Sequence, residues 1–141
     1  MARTTFSGPV KSDNGFEGDV TGNVTGNITG NVTGALTAVQ IPSATVAATG
    51  TVQANAAAVT TGFTLVSAAD GNKGVKLPAA AAGLTVMLKN NVDAALKVYP
   101  NTADKINGGS ANAAVTMNNS SSAMFVAYDA TDWYSIVFTS A

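Results

Sequence analysis

Residues 18–37 read GDVT GNVT GNIT GNVT GALT, a four-residue unit repeated five times without interruption. Successive side chains of an extended strand point to opposite faces, so Gly22 and Val24 share one face while Asn23 and Thr25 share the other. One face is a row of glycine notches and aliphatic knobs. At roughly 3.3 Å per residue the five units reach about 65 Å, longer than most strands of compact domains. Each tetrad buries one Val, Ile or Leu, worth about 1.5–3 kcal/mol, against about 1–2 kcal/mol of backbone entropy for each of its four residues. A single copy therefore cannot hold the shape, and the repeat predicts self-association. When copies run side by side, the aliphatic of one chain enters the notch left by another chain's glycine, and strand edges satisfy one another's N–H and C=O groups. A threefold axis is the smallest closed arrangement that encloses a central seam, here Val20, Val24, Ile28, Val32 and Leu36 flanked by Gly18, Gly22, Gly26, Gly30 and Gly34, and a homotrimer is expected.

Outward from the tetrads the character of the chain changes on both sides. Residues 1–17, MARTTFSGPVKSDNGFE, separate Phe6, Val10 and Phe16 with turn formers around Pro9 and Gly15 and carry the cations Arg3 and Lys11. This is the composition of an extended docking arm that inserts into grooves on a larger surface. Residues 38–61 are rich in Ala, Thr and Val, and their β-branched density favours extended chain over helix, so they read as a continuing shaft or collar. From Gly62 onward, short apolar runs alternate with turn clusters every 8–12 residues or so, the pattern of an all-β sandwich or barrel. The expected strands are Phe63–Ala68, Gly74–Leu77, Leu84–Asn90, Ala95–Tyr99, Ala113–Met117, Ala123–Tyr128 and Trp133–Phe138. Turns are expected around Asp70-Gly71, Asn90-Asn91, Asn107-Gly108 and Asp129–Asp132, the last closing a C-terminal hairpin.

Composition restricts the chemistry. Charged residues are 11% of the 141-residue chain and the net charge is −1, which leaves no basic surface for nucleic acid or an anionic membrane. No apolar run approaches the roughly 20 residues that cross a bilayer as a helix. There is no cysteine and no histidine, which removes disulfides, thiolate nucleophiles, most zinc sites and any Ser–His relay. Asp70, Asp93, Asp104, Asp129 and Asp132 lack the spacing of a calcium loop, so no metal or other cofactor is expected. Asp129 and Asp132, the nearest carboxylate pair, flank a turn where both are solvated, a poor setting for a general acid, and no enzymatic activity is expected. The three Asn-x-Thr sequons at Asn23, Asn27 and Asn31 arise automatically from the repeat and suit Asn and Thr ladders better than glycosylation. Tyr128, Trp133 and Tyr134 form a candidate ligand platform for sugar rings, although one face of the strand that carries Trp133 and Tyr134 must be core.

The stretch TTFSGPVKSDNGFEGDVTGNVTGNITGNVTG resembles the start of small virion proteins of tailed bacteriophages, including capsid decoration proteins and head fibres, in which a short arm precedes G-x-[VI]-T repeats. The stretch LTVMLKNNVDAALKVYPNTADKINGGSANAAVTMNNSSSAMFVAYDATDWYSI is similar to a β-rich domain of phage structural proteins. The resemblance implies a homotrimeric appendage made in the host cytoplasm and resident on the virion, with Arg3, Phe6, Pro9, Val10, Lys11 and Phe16 in an arm seated on the major capsid protein. It also leaves room for a tail fibre whose knob recognises a host surface glycan. A secreted bacterial adhesin is the alternative of another class, and the polar residues after Met1-Ala2-Arg3 count against it. The expected fold is all-β: an extended arm over residues 1–17, an intertwined trimeric β shaft built on the G-x-[VI]-T tetrads with its collar over 18–61, and a β-sandwich or jelly-roll-like domain over 62–141.

Overall fold

The computed structural model describes residues 41–60 and 62–138. The chain divides into two compact units, Met1–Leu36 and Thr37–Ala141, and every described residue belongs to the second. The residues expected to form a docking arm, Arg3 to Phe16, and those expected to form a trimer seam, Gly18 to Leu36, lie outside the described residues.

The described unit is all-β. Its strands are β1 (Ser43–Ala47), β2 (Ala57–Ala58), β3 (Gly62–Ala68), β4 (Gly74–Lys76), β5 (Thr85–Asn90), β6 (Leu96–Tyr99), β7 (Lys105–Ile106), β8 (Val115–Met117), β9 (Ser122–Ala127) and β10 (Asp132–Phe138), with one short 3₁₀ turn at Gln53–Asn55. They form a six-stranded sheet in the order β1-β3-β5-β9-β10-β7 and a four-stranded sheet in the order β2-β4-β6-β8. From β1 to β6 the chain visits the two sheets alternately, and each return lays the new strand parallel to the previous one in that sheet. Thus Ser43 lies beside Phe63, and Phe63 beside Met87, in the large sheet, while Ala57 lies beside Val75, and Val75 beside Val98, in the small one. This is a β-solenoid-like stack of three coils. The antiparallel strands β8 and β9 join its last coil in the small and large sheets respectively, and β9 turns back into β10.

The sandwich or jelly roll expected for residues 62–141 is replaced by this stack. In a jelly roll neighbouring strands run antiparallel; here β1, β3 and β5 are parallel because a strand of the other sheet serves as each crossover connection. Short apolar runs between turns are produced alike by hairpins and by half-coils, so their spacing did not distinguish the two. All seven expected strands are present within two residues of their expected ends, and the C-terminal hairpin is β9–β10. Strands β1, β2 and β7 were not anticipated. The first two lie within the stretch read as collar and form the first coil of the stack.

Alternation places the core. In β5, Val86, Leu88 and Asn90 point inward while Thr85, Met87 and Lys89 point out; in β9, Ala123, Phe125 and Ala127 point inward while Ser122, Met124 and Val126 point out. Val66, Val86, Leu88, Phe125 and Trp133 of the large sheet pack in one cluster with Val75, Leu77, Leu96, Val98 and Met117 of the small sheet or its flanks. Fully burying each of these side chains is worth about 1.5–3 kcal/mol.

Polar groups lock the coil corners. Buried Asn90 donates from Nδ2 to the carbonyls of Ala94 (2.8 Å) and Asn118 (2.9 Å), tying two turns together. Asp104, also buried, accepts the Ala80 N–H at 2.9 Å and so holds the loop Pro78–Gly83 against the turn Asn101–Asp104. Tyr99 donates its phenol to the Thr51 carbonyl at 2.7 Å, which fastens the loop around the 3₁₀ turn onto the small sheet. Asn107 and Gly108 both take the left-handed conformation, with φ of 55° and 68°, and the Gly109 N–H closes the turn on the Ile106 carbonyl at 3.0 Å.

Candidate interaction surface

The two sheets present different faces to the outside. On the small sheet the outward residues are Lys76, Lys97, Thr116 and the loop-covered Tyr99, and Lys97 donates from Nζ to Thr116 Oγ1 at 2.9 Å. That is an ordinary solvated face. On the large sheet the outward rows run across five strands by register. Ser43, Phe63, Met87, Met124 and Ile136 form one row, and Thr45, Leu65, Lys89, Ser122 and Phe138 the next. Thr85, Val126 and Tyr134 form a third.

Lys89 is the one charged side chain in these rows, and its Nζ is spent on the Ser120 carbonyl at 2.7 Å. Tyr134 and Ile136 are each 49% exposed and Phe138 50%. Parallel strands are normally covered on both faces, so an apolar outer face over β1, β3 and β5 departs from the usual arrangement. Contiguous apolar patches larger than a few hundred Å2 are uncommon on monomers and often functional, which makes this face the candidate interaction surface.

The three members of the candidate ligand platform separate. Trp133 is fully buried, in the core with Phe125, and its indole Nε1 has no hydrogen-bond partner. Tyr128 and Tyr134 stay outside, 73% and 49% exposed, with ring centroids 6.1 Å apart in an edge-to-face arrangement at 89°. They stand at one end of the apolar face. Close by, Asp132 meets Lys105 at 3.4 Å, and Asp129 Oδ1 accepts the Thr131 N–H at 2.7 Å and the Asp132 N–H at 2.8 Å. Those N–H groups hold the Asp129 carboxyl below the ordinary aspartate range, Thr131 having the larger effect. Asp129 is thus a turn-forming carboxylate. Among the described residues no three acidic side chains converge as a metal site.

On the inward side a cleft of about 240 Å3 lies between β8 and the β9–β10 hairpin, lined by Val115, Met117, Ala123, Phe125, Ser135 and Val137 among others. Asn107 and Ser135 at its side bond each other twice, Asn107 Nδ2 to Ser135 Oγ and Ser135 N–H to Asn107 Oδ1, both at 2.8 Å.

Reasoning from the sequence did not single out Phe63, Met87, Met124, Ile136 or Phe138 as a surface. The signal was nevertheless there: VML at 86–88 and AMFVA at 123–127 are continuously apolar, the mark of strands covered on both faces rather than one. No family model, curated protein or solved structure matches the chain.

Proposed function

We propose that this chain is a non-enzymatic structural protein of a phage virion, a homotrimeric head decoration or head-fibre protein bound to the outer capsid surface. The observation that carries the reading is the tetrad repeat of residues 18–37, which needs neighbouring copies to be stable, in a chain whose charge suits neither nucleic acid nor membrane. The tetrads form an intertwined trimeric β shaft, residues 1–17 dock on the major capsid protein, and the solenoid-like unit is the body of the appendage. Three arms from one trimer grip neighbouring capsid subunits, so weak contacts combine through effective concentration. Apolar anchors such as Phe6 and Phe16 carry the binding, which makes it nearly independent of salt.

The test is deletion of residues 1–17. The full-length protein is expected to decorate purified capsids at both low and high salt, and the truncated one to lose binding while keeping its fold. A truncated protein that still decorates capsids removes the docking arm from the reading. The exposed pair Tyr128 and Tyr134 favours a second reading, a tail fibre that binds host glycan; locating the protein on capsid or tail in intact virions by electron microscopy decides between the two.

A further inference from the structure

We propose that the turn Asn107-Gly108 is a latent site of self-modification, where the chain deamidates through a cyclic imide once the turn opens, and that Ser135 keeps the turn shut. The sequence supplies the reactive pair. Gly108 has no side chain to hinder its own nitrogen, which follows directly on the residue whose side-chain carbonyl it attacks. Both residues are exposed, and a Cβ added at Gly108 would meet nothing, so water and hydroxide reach the turn freely.

The reaction needs only those two reagents. Hydroxide takes the Gly108 amide proton, and the nitrogen attacks Asn107 Cγ to close a five-membered ring. The bond from Cγ to Nδ2 breaks, and Nδ2 leaves as ammonia with a proton from water, which regenerates the hydroxide. Water then opens the ring at either carbonyl. Attack at the former side-chain carbonyl leaves aspartate at position 107, whereas attack at the main-chain carbonyl leaves isoaspartate, with the chain running through the old side chain. Overall an amide and a water give an acid and an ammonia, with no change of oxidation state.

The folded geometry forbids the first step. With φ of 55° and 68° and the Gly109 N–H bonded to the Ile106 carbonyl, the turn is of type I′. Asn107 then has ψ near about +30°, which sets its Cβ and the Gly108 nitrogen about 150° apart around the Cα–C bond, whereas ring closure needs them nearly eclipsed. The side chain is pinned as well. Asn107 Nδ2 donates to Ser135 Oγ and the Ser135 N–H donates to Asn107 Oδ1, both at 2.8 Å, while the Asn107 N–H bonds the Trp133 carbonyl at 2.7 Å. These bonds fasten the end of β7 to β10, so the reaction waits for that edge of the large sheet to come away. Both products lack Nδ2, and isoaspartate also lengthens the main chain, so an edge that has opened and reacted does not close as before.

Full-length wild type, Ser135→Ala and Ser135→Thr are held in mildly alkaline buffer, folded and in urea. Mass spectrometry follows conversion in the peptide that carries Asn107, separately from the one that carries Asn14, the chain's other Asn-Gly pair. Folded wild type is expected to convert at least roughly tenfold more slowly than in urea, because local opening must come first. Ser135→Ala, which loses the Oγ acceptor, should convert about 2- to 10-fold faster than folded wild type, the range of one lost hydrogen bond. Ser135→Thr keeps the hydroxyl and should convert at the wild-type rate. In urea all three should match, since Ser135 is remote from the reacting pair along the chain. Equal rates for wild type folded and in urea overturn the gate, a comparison that holds even where a variant does not fold. Equal folded rates for wild type and Ser135→Ala overturn the role of Ser135, as does a Ser135→Thr protein that converts as fast as Ser135→Ala.

Discussion

A Cβ at Gly74 of β4 would lie 2.6 Å from Cε2 of Tyr99 on the adjacent strand β6, and 2.8 Å from the Lys97 carbonyl. The ring occupies the space that any side chain at position 74 would need, and its hydroxyl is tied to Thr51. Gly74→Ala is therefore expected to cost about 1–3 kcal/mol through overpacking. For a unit near 100 residues that lowers the melting temperature by about 4–8 °C per kcal/mol, read by circular dichroism. A melting temperature equal to wild type would show that the ring swings aside freely.

Asn90→Asp is the sharper test of the coil corners. The substitution is nearly isosteric, but it removes both Nδ2 donors and sets a carboxylate against the carbonyls of Ala94 and Asn118. The expected loss is about 3 kcal/mol or more in urea unfolding, because a charge is buried without a donor. A loss below about 1 kcal/mol would mean that the two turns hold without it.

Acid should loosen the unit through two turns. Asp70 is held below an ordinary aspartate's 3.8 first by the Lys73 N–H and then by that of Asn72, as Asp129 is by Thr131 and Asp132. A carboxyl whose pKa is lower folded than unfolded adds stability that is full above the unfolded value and disappears as pH falls through the folded one. Stability is expected to drop below about pH 4, and replacing both residues by Asn, which keeps an acceptor but cannot titrate, should flatten that limb. Titration midpoints at or above 3.8 in a carboxyl NMR experiment would refute the turn assignment.

Gly26→Val probes the shaft seam proposed above. On that proposal the notch is left for a neighbour's aliphatic, and filling it should shift the assembly toward monomer in sedimentation. Undiminished trimer would argue against close packing at that position.

Much of the stack is visible in the sequence. LTVMLKN and AMFVA declare β5 and β9 by their apolar density, and Asp129–Asp132 declares the turn before β10 because its side chains preset the geometry the structure shows. Strand direction is not visible, since parallel pairing depends on how many residues each coil spends in the opposite sheet. Strands β1 and β2 escaped because SATVA and AA carry little more than small side chains, and only pairing with β3 and β4 makes them strands. For the candidate surface, Tyr128 and Tyr134 were legible and remain exposed. Trp133, one residue from Tyr134, goes to the core because neighbours on a strand face opposite ways. The apolar row from Phe63 to Ile136 is spread over four strands, and no local pattern assembles it.

The position of β9 between β5 and β10 bears on how the molecule is made. The strand that completes the centre of the large sheet is among the last of the described elements to leave the ribosome, while the coils that need it are synthesised first. Long-range parallel pairing is slow to form, and the β9–β10 hairpin is the most local of the long-strand pairings. Folding is thus expected to begin late in synthesis and to run backward along the chain, so that the early coils stay unlocked until the last strands of the large sheet have emerged.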